Sequence, residues 1–226
     1  VHRYSVHSLI KSRETDIGER ITGLHAFDER ISTWWQDVSP DFKLTPSTIA
    51  DMAHDTVAFP KLLLLNAVYH QSLGALHASI IPLFSWSPGD SSWLTSRHCS
   101  AQVAFEHACA FSELIKPVVS TYTRHGAIPT FVAYAAYSGC AVQMPFMWCS
   151  NPAVQGRIRA NVKTNIQLIQ SVAVYWKFAA LLVLISSPLP SSYASLGSPL
   201  IGLFIFCLAN ACRLSVRDPP NAVDYT

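Results

Sequence analysis

Nine histidines and six cysteines are the side chains of this sequence best suited to chemistry, and their spacing limits what they can do. The cysteines fall at 99, 109, 140, 149, 207 and 212. Zinc sites draw thiolates from C-x-x-C pairs, because so short a link brings two sulfurs to one tetrahedral ion, and the sequence has no such pair. The thiols therefore read as reduced core side chains, small hydrophobes on helices. A disulfide framework would need a secretory context, and the opening VHRYSVHSLIKSRETD has no apolar run. His70 and His77 lie seven apart in LLLLNAVYHQSLGALHASIIPLF (62–84), on one helix face but two turns from each other. Two ligands to one metal from one helix need a spacing of three or four, so each reads as a hydrogen-bonded core or interface histidine. His54-Asp55 would need a nucleophile that the sequence does not place, and reads as a surface or helix-end pair. Paired carboxylates, a Gly-rich phosphate loop and a nucleophile elbow are all missing from the pattern, which argues against an enzyme.

The elements that must carry these residues are helical. At 226 residues the chain can bury a substantial single core, and 13% charged residues is about half the usual share. A net charge of +2 with no Lys/Arg run leaves no electrostatic footprint for nucleic acid. Leu62, Leu65, Val68, Tyr69, Leu73, Leu76 and Ile80 recur at three and four, which predicts an apolar helix opened at Pro60, stopped by Pro82 and jacketed by other helices. Ahead of it, residues 1–16 form a polar lead-in. Ile21, Leu24, Phe27, Ile31, Trp34 and Trp35 then predict an amphipathic helix from Ile17 to about Val38, with one Trp inward and one at the core edge. Thr45-Pro46 caps a short helix through Ile49 and Met52 toward Val57. A Ser/Gly/Pro loop pinned by Trp86 and Trp93 leads to a helix over Ser96–Thr123. Its inward side is read as Cys99, Val103, His107, Ala110, Leu114 and Val118, with Phe111 and Ile115 adjoining and Pro117 bending or interrupting it.

Pro129 to Cys149 is nearly free of charge, with Phe131, Tyr134, Ala135, Ser138 and Val142 on one face. Asn151-Pro152 starts a last long helix to about Ile185, whose inner stripe is Val154, Ile158, Val162, Ile166, Ile169 and Val172. The fold class expected is all-α, a multi-helix array of antiparallel packed helices around an apolar central helix. The helical domain spans 17–185. Residues 186–226 supply a linker, a short apolar segment and a polar tail. The competing reading is a helical membrane-associated protein using the runs near 62–84, 129–149 and 178–212. Ser138, Gly139, Gln143 and Pro145 interrupt the second of these, and no Lys/Arg asymmetry sets a topology.

Tyr69-His70 followed by Leu76-His77 on an apolar helix resembles the middle homology region of fungal transcription factors that carry an N-terminal binuclear zinc cluster. That family commonly continues Leu-His-Arg-Pro, where this chain has Ala78-Ser79 after His77. RHCSAQVAFEHACAFSELI, with Cys99, resembles its next segment, and Tyr175-Trp176 stands where family members carry a Trp near the end of their last helix. The similarity runs from about Ile17 to Leu182. It implies a nuclear regulator of RNA polymerase II genes, with the motif positions structural and no catalytic, cofactor or metal site in this chain. It further implies zinc and DNA contact only through an upstream region, and a small-molecule effector, a transcriptional co-regulator or a second copy of the chain as partner. The first residue, Val1, is read as the start of a fragment.

Overall fold

The computed structural model describes residues 17–81 and 94–186. Among them are seven α-helices and no strand: α1 (Ile17–Asp37), α2 (Pro46–Met52), α3 (Ala58–Ala78), α4 (Leu94–Thr121), α5 (Thr130–Gln143), α6 (Pro152–Ala173) and α7 (Lys177–Ser186). Three short 3-10 turns, Pro40–Phe42, His125–Ala127 and Met144–Trp148, make the corners. The all-α class expected from periodicity is the fold observed.

Local chemistry sets the helix starts. Thr45 closes a capping box with Thr48, and Pro46 takes the first helical position of α2. Asp55 Oδ1 accepts from the backbone N–H of Val57 and Ala58 at 3.0 and 2.8 Å, so the His54-Asp55 pair does mark a helix end. These two bonds hold the Asp55 carboxyl below its ordinary range. Asn151 Oδ1 accepts from Ala153 and Val154, which starts α6 ahead of Pro152.

Helix α3 is the axis. It packs most extensively on α4, then on α5, and α1 lies along its other side. Only Lys61 of its residues is exposed. The largest core cluster joins Leu63, Ala67, Phe111, Ile115, Val132, Ala136, Leu168 and Val172 from α3, α4, α5 and α6. Ile21 and Leu24 of α1 form a second cluster with Leu73, Leu76 and Ile80. No helix among the described residues is long and apolar enough to cross a membrane.

Several inward faces differ from those read in the sequence. On α3, Leu63, Asn66, Ala67, Gly74 and His77 are buried, whereas Leu65, Val68 and Tyr69 are only half-buried. On α4 the buried line is Ser100, Ala104, Ala108, Phe111, Ser112 and Ile115, while Cys99 and Ala110 face outward. On α5, Val132, Ala133, Ala136, Gly139, Cys140 and Gln143 are inward and Tyr134 is exposed. The physical reason is common to all three. Closely packed helices need small side chains at their nearest approach, where a Cβ on Gly74 or Gly139 would meet Ala104 O or Ala108 O at 4.0 or 3.9 Å, and Leu63, Phe111, Ile115 and Val132 fill the core beside it. The helix expected to run to Ile185 breaks after Ala173 and resumes at Lys177, and α4 runs through Pro117 without interruption. Helix α3 ends at Ala78; the expected stop at Pro82, like Trp86, Trp93, Cys207 and Cys212, lies outside the described residues.

Candidate functional site

Where α1, α3 and α4 meet, polar side chains lie inside the apolar array. His70 of α3 and His107 of α4 face each other Nδ1 to Nδ1 at 3.1 Å. Only one of the two nitrogens can carry the hydrogen, so the pair shares a single Nδ1–H between two neutral rings. About two turns along α3, His77 is 3% exposed; its Nδ1 bonds Ser100 Oγ of α4 at 3.1 Å, and its Nε2 lies 3.7 Å from Asp28 Oδ2 of α1. Asp28 is held by the Ser32 hydroxyl at 3.2 Å. Tyr69 joins the two groups. Its ring stacks on Trp35 of α1, centroids 4.1 Å apart and planes 8° from parallel, and meets the His107 ring edge-on at 5.4 Å. Lys43 Nζ sits 5.6 Å from the centre of the Trp35 ring, adding a cation–π contact.

Burial dominates the electrostatics. It depresses the His70 pKa to about 3, with His107 adding to the effect. His77 is also lowered by burial, against the pull of Asp28. For His107 burial again comes first and His77 second, opposed by Asp28 and Glu106. Burial raises the Tyr69 hydroxyl above its ordinary value, and Asp28 raises it further. The three histidines of the seam are thus neutral near pH 7. A narrow cleft beside the histidine pair has room for about one water molecule, lined by Gln71, Gly74, Ala108, Ser138 and Gly139. Gln71 Nε2 donates to Ser138 Oγ at 3.0 Å across it, tying α3 to α5.

A second polar layer holds α4, α5 and α6 together. Gln143 is fully buried; its Nε2 donates to Ser112 Oγ (2.9 Å), Gly139 O (3.1 Å) and Ala108 O (3.3 Å). Its Oε1 accepts from Asn161 Nδ2 at 3.0 Å and from the Cys109 thiol at 3.6 Å. Arg157 reaches the same sulfur at 3.5 Å while lying over the Phe105 ring. Burial nonetheless raises the Cys109 thiol and pushes Cys140 up to about 12, so both stay protonated. Cys109 and Cys140 are the buried thiols expected from the sequence, but Cys99 is exposed and Cys149 half-exposed. Among the described residues no group of three or more His, Cys, Asp or Glu converges on a metal position.

Of the residues singled out in the sequence, Tyr69, His70 and His77 come together in the seam, and Leu76 packs beside them in the α1–α3 cluster. Cys99, Tyr175 and Trp176 do not join them. Tyr175 and Trp176 sit in the turn between α6 and α7, 59% and 43% exposed, instead of inside a last helix, and Tyr175 lies over Gly126. Asp28, Ser100 and the pairing of His107 with His70 were not readable from spacing, since they join different helices. Asn161 and Asn165 did leave a signal: polar residues four apart, inside the line of Ile158, Val162 and Ile169. No protein-family model, curated protein or solved structure matches the chain.

Proposed function

We propose that this chain is the regulatory helical domain of a fungal transcription factor acting on RNA polymerase II genes in the nucleus, with DNA contact made by a zinc cluster upstream of it. The observation that supports the reading is the seam itself. Tyr69, His70 and His77, the residues that carry the family resemblance, are the ones that bond α3 to α1 and α4. A regulatory domain works by favouring one helix arrangement over another, and its response is limited by the difference in affinity of its effector for the two. Side chains that fix the relative positions of three helices are suited to that task.

The cleft at the seam has room for about one water, which favours a protein co-regulator over a metabolite as the partner. Val174, Tyr175, Trp176, Phe178 and Leu181 give such a partner an exposed apolar face at the α6–α7 corner. The test is a fusion of the chain to a heterologous DNA-binding domain and activator, scored on a reporter in a fungal host. A severalfold change in output, lost in Tyr69→Ala at equal protein level, supports the proposal. Output equal to that of the fusion lacking the chain would overturn it.

A further inference from the structure

We propose that the His70–His107 pair is an acid-sensitive gate on the cleft between α3, α4 and α5. The gate is closed while the two rings share one Nδ1 hydrogen and opens when both rings are charged. The inference does not depend on the transcriptional reading.

The geometry carries it. At 3.1 Å between the same nitrogen of each ring, one hydrogen bond forms only if one Nδ1 is bare. A doubly protonated ring has N–H at that position, so two charged rings would point donors and like charges at each other. Among the described residues no carboxylate bonds either ring; Asp28 and Glu106 act on His107 only at a distance. From α5 the cleft is lined by Ala135, Ser138, Gly139 and Val142, none of which ionises near neutral pH. From α4, Glu106 is exposed and already accepts from Gln102 at 2.9 Å. From α1, Asp28 lies against His77 instead, at 3.7 Å, and His25 adds only positive charge there. Tyr69 of α3 offers a ring edge and a hydroxyl whose ionisation is raised, not lowered.

The two histidine sites differ in what meets a proton, although burial lowers the pKa of all three rings. A proton on His77 faces the Asp28 carboxylate, which offsets part of the cost of burying the charge, while that charge opposes protonation of His107. A second charge at the half-buried His70–His107 pair needs water, and the cleft beside it now has room for about one molecule. Widening between α3, α4 and α5 follows, with Gln71–Ser138 as the bond that must yield.

The sign follows from His70 alone. Its closed-state pKa of about 3 lies below the ordinary 6.5, so the closed form is fully favoured above about pH 6.5 and loses ground as pH falls toward 3. Between pH 7 and 5 the opening constant therefore rises, most steeply once both rings can take a proton.

Amide hydrogen exchange of the whole chain, corrected for intrinsic rates, tests the gate at pH 7 and pH 5. Faster exchange confined to α3, α4 and α5 around 70–77, 104–111 and 135–142 is expected, with α6 unchanged. His107→Gln keeps a hydrogen-bonding partner for His70 without a second charge, and should reduce the acid response severalfold. His70→Gln reports the same if His107→Gln fails to fold. If neither folds, the wild-type exchange pattern decides. Exchange in these segments that is unchanged between the two pH values, acceleration spread evenly over all helices, or a variant as acid-sensitive as the parent would each overturn the gate.

Discussion

Replacing Gln143 by Leu isolates what the buried polar layer contributes. The two side chains are close in size, so the substitution leaves little cavity, and its cost measures hydrogen bonding. Five bonds at the amide are lost. Two of the partners are hardly affected: Ser112 Oγ still donates to Ala108 O at 2.8 Å, and Gly139 O belongs to a helix. Asn161 is affected most, since its Nδ2 is left without Gln143 Oε1 in a site where the residue is 3% exposed. A buried amide stripped of its partner costs about 1–3 kcal/mol, and each net hydrogen bond about 1 kcal/mol, which leads to about 3 kcal/mol for Gln143→Leu. With a urea m-value of about 2–3 kcal/mol/M, the unfolding midpoint followed by far-UV circular dichroism falls by about 1–1.5 M. Adding Asn161→Leu removes the orphan, so the double variant should be more stable than the sum of the singles by about 1–2 kcal/mol. A single-variant cost below about 0.5 kcal/mol, or strict additivity of the pair, would refute the view that this layer fixes α4, α5 and α6.

Gly156 is exposed on α6 with open space around the position a Cβ would take, so Gly156→Ala should raise stability by about 0.5–1 kcal/mol in the same denaturation assay. Asn151→Ala removes the acceptor for Ala153 and Val154 and should cost about 1 kcal/mol, with faster exchange confined to the first turn of α6. Trp35→Ala takes away the ring stacked on Tyr69 and should loosen α1, seen as faster exchange over 21–35 with α6 unaffected.

The parts of the fold that could be read in advance were those written in local pattern. Thr45-Pro46 and Asn151-Pro152 mark helix starts because a side-chain acceptor and a fixed φ act within one turn. The alternation of apolar and charged residues in α1 gave its full length to within a residue. The inward faces of α3, α4 and α5 were harder, because nearly every residue there is apolar or small and periodicity loses contrast. Ala104, Ala108, Ala136 and Gly139 won the seam by size. The break at Val174–Trp176 has no Pro or Gly to announce it. At the site, a hydrogen-bonded role for His70 and His77 followed from their seven-residue spacing on an apolar helix. Their partners did not: His107, Ser100 and Asp28 lie 37, 23 and 49 positions away, and only the packing of α1 and α4 on α3 brings them close.

All of this rests on α3 being the buried helix onto which α1, α4 and α5 pack. Hydrogen exchange of the intact chain at pH 7 measures that directly. Amides of 62–77 are expected among the slowest in the protein, together with 158–172 of α6, and well behind those of α1. Exchange in 62–77 as fast as in α1 would contradict the account.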